Sequence, residues 1–117
     1  MKKEPHVFLI HILESIDLIE KYIKNVTSAK FHKNQAVQDA VIRRLEVIGE
    51  ASKNLPLSFR VKHSNIPWKK MTGMRDVLIH EYFGIDLTLT WKVAKEELSF
   101  IKKKLSEILT LENSKSL

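Results

Sequence analysis

A chain of 117 residues has room for one domain and one core. Its 44% apolar and 29% charged residues describe a folded globular protein, and only three Gly and three Pro disfavour a turn-rich β-sandwich or barrel. The absence of cysteine excludes disulfide frameworks, thiol chemistry and cysteine-ligated metal centres. The excess of 20 basic over 14 acidic residues, +6 in all, favours anionic partners without proving one.

Lys2 and Lys3 precede the apolar run Val7-Phe8-Leu9-Ile10, but Glu4, His11, Glu14 and Asp17 break it up and no small-residue cleavage site follows. With no apolar stretch of membrane-spanning length, the expectation is a cytoplasmic protein without membrane attachment. Between Pro5 and Val26, apolar residues at Leu9, Ile12, Leu13, Ile16, Ile19, Ile23 and Val26 recur every three or four positions, which predicts a helix. Pro5 suits its first turn and Glu4 its dipole. Asn25–Asn34 loses the period and reads as a loop.

A second helix is expected from Gln35 to Lys53, with Val37, Ala40, Val41, Leu45 and Ile48 facing inward. Gly49 inside it costs about 1 kcal/mol relative to Ala, so it marks either a close approach of another backbone or a kink. Pro56 to Lys62 reads as one or two helical turns, and Asn65-Ile66-Pro67-Trp68 as a connector. Met71–Phe83 reads as a short helix closed by Gly84 at its C′ position. Asp86 or Thr88 caps the last helix, where Leu87, Trp91, Ala94, Leu98, Ile101, Leu105 and Ile108 form a near-heptad seam. The architecture expected is an all-α bundle of four to five helices, two of them long and antiparallel, in a single domain over residues 1–112 with a frayed tail at 113–117.

Most charged residues lie opposite an apolar stripe. Lys102-Lys103-Lys104 reads as a solvated helix face, and Arg43-Arg44 with Glu46 and Glu50 have the spacing of helix-surface ion pairs. His6, His11, His32 and His63 lack metal-ligand spacing, so neither a metal nor another cofactor is expected. The segment Arg75-Asp76-Val77-Leu78-Ile79-His80-Glu81-Tyr82 differs. On a helical wheel Met74, Val77, Leu78 and Glu81 share one half, Asp76, Ile79, His80 and Phe83 the other, and Tyr82 stands nearly above Arg75. A helix apolar on most sides is buried, and buried charges must pair or line a site. Asp76 and His80, four apart, are then placed for a carboxylate to orient an imidazole. Spacing alone leaves open a purely structural Arg, His and Tyr.

The string Arg75-x4-His80-x-Tyr82 resembles the R-x4-6-H signature of the HEPN superfamily, and its tyrosine extension resembles the HepT branch. Pro5-His6-Val7-Phe8-Leu9, the run from Ala40 to Ala51, Ile66-Pro67-Trp68 and Gly73-Met74-Arg75 resemble that branch too, in order along essentially the whole chain. The resemblance implies a toxin encoded beside a minimal, MntA-like nucleotidyltransferase antitoxin. It implies a homodimer whose two motif segments meet in one cleft, and metal-independent cleavage of mRNA or tRNA.

In such chemistry the RNA 2′-OH attacks the adjacent phosphate. Arg75 would stabilise phosphate charge, His80 would transfer protons and Asp76 would orient it. Tyr82 resembles the tyrosine that the antitoxin modifies with AMP. Lys69, Lys70, Arg43 and Arg44 are candidate RNA-guiding charges. The alternative is a non-catalytic helical module that docks a nucleotidyltransferase.

Overall fold

The computed structural model describes residues 5–74, 79–80 and 84–115, with backbone alone at 79, 80, 85 and 112–115. Helix α1 (Pro5–Ile23) buries Leu9, Ile12, Ile16, Ile19 and Ile23 along one stripe. Leu13 and Val26 lie at its edge, partly buried. Asn25, with φ 63°, turns the chain out of α1; asparagine tolerates this left-handed conformation better than most residues.

The expected loop at 25–34 contains a helix, α2 (Ser28–Lys33). Thr27 caps it, its side-chain oxygen accepting from the Lys30 amide at 3.2 Å. Its single buried side chain, Phe31, packs 5.2 Å from the Trp91 ring. One anchoring residue leaves no periodicity to read. Asn34 ends α2 and caps α3 (Gln35–Asn54), accepting from the Val37 amide at 3.1 Å.

Helix α3 buries Val41, Leu45 and Ile48 as the spacing predicts, with Val37 and Ala40 at its margin. Gly49 marks a close approach and not a kink. A Cβ there would stand 3.3 Å from the Met71 carbonyl oxygen and 3.7 Å from that of Thr72. Those carbonyls belong to α5 (Trp68–Thr72), which follows the exposed two-turn α4 (Leu57–Lys62) and the Ile66-Pro67 connector. The Trp68 indole donates to the His63 carbonyl at 2.9 Å, tying α5 back to the end of α4.

The expected helix from Met71 to Phe83 does not form as one element. Gly73 caps α5, and by Ile79–His80 (β1) the backbone is extended and paired antiparallel with Gly84–Ile85 (β2), His80 opposite Gly84. Gly84 does adopt a positive φ of 80°, but as the first residue of a returning strand and not as a helix cap. The bundle is otherwise helical among the described residues.

Of the two caps left open by the sequence, Asp86 caps α6 (Leu87–Lys92), accepting from the Leu89 amide at 2.9 Å. Helix α6 passes through a π-helical turn, Val93–Glu97, into α7 (Leu98–Lys115). The wider turn shifts the register. Thr90, Val93 and Ala94 are buried upstream of Leu98, while Leu87 and Trp91, expected in the seam, are only partly covered. Leu98, Ile101, Leu105 and Ile108 keep their places. The backbone remains helical to Lys115, past the expected boundary at 112; residues 116–117 lie outside the described ones.

Helix α1 is central, packing on α3 and α7. Phe8 and His11 share a groove with residues 43–54 of α3, while Lys102 of α7 reaches Asp17 and Glu20 near the other end of α1. The end of α1, from Asp17 to Ile23 with Lys24 just beyond it, faces Ala94 and Lys95 of the π turn and Ser99 and Lys102 of α7. Lys102 meets Asp17 and Glu20 while Ala94 and Lys95 share the groove with Ile23 and Lys24, so α1 and the last helical rod run antiparallel. Three long helical segments thus build the core, and α1 and α7 are an antiparallel pair, in keeping with the all-α bundle expected.

Candidate active-site segment

The motif is strung between two fixed points. On the upstream side α5 is locked by buried Trp68 and Met71, by the carbonyl contacts at Gly49, and by Met74, which is itself buried in the core. On the downstream side Asp86 fixes the start of α6 through its cap, and the Thr90 hydroxyl donates back to the Asp86 carbonyl at 2.7 Å. Between them, Arg75, Asp76 and Tyr82 lie outside the described residues. His80 is described at the backbone, in the short ladder with Gly84. The helical spacing that would seat Asp76 against the His80 imidazole requires a helix through His80. The extended backbone there removes that particular argument.

The candidate RNA-guiding cations do not converge. Lys69 and Lys70 are exposed on α5. Lys69 lines a groove of about 480 Å³ with Leu57, Arg60 and Val61 of α4. Lys70 is ion-paired with Glu97 in the π turn, which ties the motif's upstream anchor to the last helical rod. The other Glu97 carboxylate oxygen is buried and accepts no hydrogen bond among the described residues. Arg43 is exposed in a different groove, of about 370 Å³, beside His11 and Glu50, and Arg44 is half-buried. Among the described residues no ion pair joins Arg43 or Arg44 to Glu50.

Of the histidines, His32 is held by its own helix, its Nδ1 lying 2.7 Å from the Ser28 carbonyl oxygen. No group of three or more His, Cys, Asp or Glu side chains comes together among the described residues. None of their helices is long and apolar enough to cross a membrane.

Lys102, read from the sequence as part of a solvated run, instead bridges two helices. Its ammonium donates to Glu20 at 2.9 Å and lies 3.0 Å from an Asp17 carboxylate oxygen. The hydrogen bond to Glu20, then that to Asp17, raises its pKa above the ordinary lysine value. The signal was present in the α1 sequence, where Asp17, Glu20, Lys21 and Lys24 fall on one face.

Comparison with known proteins decides the lineage. The family model described as "Ribonuclease HepT-like" matches residues 12–108, spanning α1 through most of α7. The chain belongs to the ribonuclease HepT-like family. It is 43% identical over 110 residues to a Caldanaerobacter subterraneus protein named "Putative RNase TTE0752", covering 94% of this chain and 98% of that one. It is 44% identical over 108 residues to "Probable ribonuclease HepT" of Thermococcus cleftensis, covering 92% and 98%.

A longer relative from Methanocaldococcus jannaschii, named "Gamma-glutamylcyclotransferase and putative RNase MJ0434", is 51% identical over 109 residues. That match takes in 93% of this chain, which spans about half the length of that relative (49%). No solved structure matches the chain. The HepT-like match covers both anchors of the motif segment, Met74 and Asp86, and the helices that hold them.

Proposed function

We propose that this chain is the toxin of a HepT-type toxin–antitoxin pair, a homodimeric, metal-independent endoribonuclease acting on cellular mRNA or tRNA in the cytoplasm. One observation carries the reading. The Arg75-x4-His80-x-Tyr82 segment joins two rigid points, buried Met74 and the Asp86 cap, inside a helical bundle that the family matches over residues 12–108.

The RNA 2′-OH attacks its neighbouring phosphate, the bond to the departing 5′-oxygen breaks, and a cyclic phosphate remains. Arg75 binds the phosphate oxygens through charge-assisted hydrogen bonds that strengthen as the phosphorane gains charge. His80 exchanges the proton, taking it from the 2′-OH or delivering it to the 5′-oxygen. One histidine does not serve both roles in one turnover, so a two-fold dimer bringing in a second His80 supplies the missing acid or base. Asp76 remains the proposed partner that orients the imidazole, by a contact other than helical i, i+4 spacing, which the extended backbone at His80 does not supply. Tyr82, modified with AMP by an MntA-like nucleotidyltransferase, places a bulky anion beside the cleft and competes with RNA sterically and electrostatically. Of the candidate guiding cations, exposed Lys69 on α5 adds electrostatic guidance beside the motif, while Lys70 is engaged by Glu97 and Arg43 and Arg44 lie apart on α3.

Expression of the parent in cells without the antitoxin is expected to arrest growth and degrade RNA. His80→Ala and Arg75→Ala should lose both effects while the purified proteins stay folded. Growth arrest unchanged in His80→Ala refutes the mechanism and favours the non-catalytic docking module. Incubation with the nucleotidyltransferase and ATP should add the mass of AMP, and the same gain in Tyr82→Phe moves the modified residue elsewhere.

A further inference from the structure

A groove of about 450 Å³ runs between the end of α1 and the last helical rod, lined by Lys21, Lys24, Lys95, Ser99 and Lys102. Its two carboxylates, Asp17 and Glu20, are both engaged by Lys102. Lys21, Lys24 and Lys95 are exposed and have no carboxylate within 4.0 Å among the described residues. The trench is therefore a net-positive channel: Lys102 is tethered by the two carboxylates, Lys95 sits 5.9 Å from the Trp91 ring centroid without a carboxylate partner, and Lys21 and Lys24 carry no ion pair among the described residues. One wall is the π turn, a type of helical defect that recurs at functional sites.

The lining also says what class of partner fits. The large exposed apolar side chains among the described residues are Ile10, Leu57, Val61, Phe100 and Leu111, and none of them lines this groove. Protein interfaces are anchored by large apolar or aromatic groups, whereas the apolar residues lining this trench, Ile23 and Ala94, are themselves buried in the core. Lysines are point charges on flexible stems, suited to phosphates regardless of base sequence.

We propose that this groove holds the sugar-phosphate backbone of the RNA strand flanking the scissile bond. The proposal rests on the ribonuclease reading above. Lys95 lines the groove, and Glu97, two residues on in the same π turn, holds Lys70 of α5, the element that leads in sequence to Arg75. One helical turn thus joins the groove to the element that leads into the motif. A strand lying in it contributes affinity away from the reacting phosphate, so its role is substrate retention and not bond breaking.

The test is a fluorescence-anisotropy titration of a 20-nucleotide 2′-O-methyl RNA, which lacks the attacking hydroxyl and stays intact. Parent, Lys21→Gln/Lys24→Gln/Lys95→Gln, and a control triple Lys30→Gln/Lys33→Gln/Lys53→Gln are compared over a salt series. Lys102 is left in place because it joins α1 to α7. The groove triple should flatten the slope of log affinity against log salt by about 2, at about 0.7 per lysine, with the control slope at the parent value.

A parental slope in the groove triple overturns the proposal, and equal flattening in both triples overturns it too, by showing diffuse charge. Loss of an acidic protein partner with RNA binding intact assigns the groove to protein docking instead. If the parent cleaves RNA in a His80-dependent way, such results leave the ribonuclease reading standing. A parent that neither binds nor cleaves RNA removes both.

Discussion

Replacement of Gly49 tests how the core reaches the motif. Alanine in a helix interior is favoured over glycine by about 0.8–1.0 kcal/mol. Against that, its Cβ would stand 3.3 Å from the Met71 carbonyl oxygen, and α5 would have to retreat by a few tenths of an ångström. That retreat is opposed, because Met71 is fully buried and the Trp68 indole is bonded to the His63 carbonyl. Overpacking of this kind costs about 1–3 kcal/mol, so Gly49→Ala should fall between neutral and about 2 kcal/mol less stable.

Gly49→Val adds two methyl groups towards the same carbonyls and recovers less helix propensity, so its loss should be about 2–3 kcal/mol. In urea that moves the unfolding midpoint down by roughly 1 M for a protein of this size. Because α5 leads through Gly73 and Met74 to Arg75, RNA cleavage should fall in Gly49→Val even where the protein is fully folded. A Gly49→Val protein with the parental midpoint and parental cleavage refutes the close-approach argument.

Two further variants probe the frame around the site. Phe31→Ala empties a fully buried position that joins α2 to Trp91, and should cost about 3–5 kcal/mol, read as a lower urea midpoint. Asp86→Ala removes the acceptor for the Leu89 amide and should cost about 1 kcal/mol, while Asp86→Asn or Asp86→Ser should retain most of it. Equal losses in all three Asp86 variants would mean that the cap is not what anchors the start of α6.

The sequence alone determined whatever repeats locally. The stripes Leu9-Ile12-Ile16-Ile19-Ile23 and Leu98-Ile101-Leu105-Ile108 were legible, because a 3.6-residue period is written in nearby residues, and Gly49 was legible as a special position whose close approach only the fold settled. The family resemblance was legible too, since ordered short motifs survive without coordinates. Tertiary structure decided what depends on distant partners. Helix α2 exists because Phe31 finds Trp91, sixty residues on, and no local pattern announces a helix held by one anchor.

The helix expected through His80 gave way to a ladder with Gly84, a pairing that turns on non-local backbone bonds against local apolar spacing that suits either state. The π turn displaced Trp91 from the seam by one register step, a choice made by the packing of α6 and α7 and not by composition. The same packing brought Lys95 and Lys102 beside Lys21 and Lys24, so four cations far apart in the sequence line one groove. Charge is counted in sequence, but its concentration is set by which helices lie side by side.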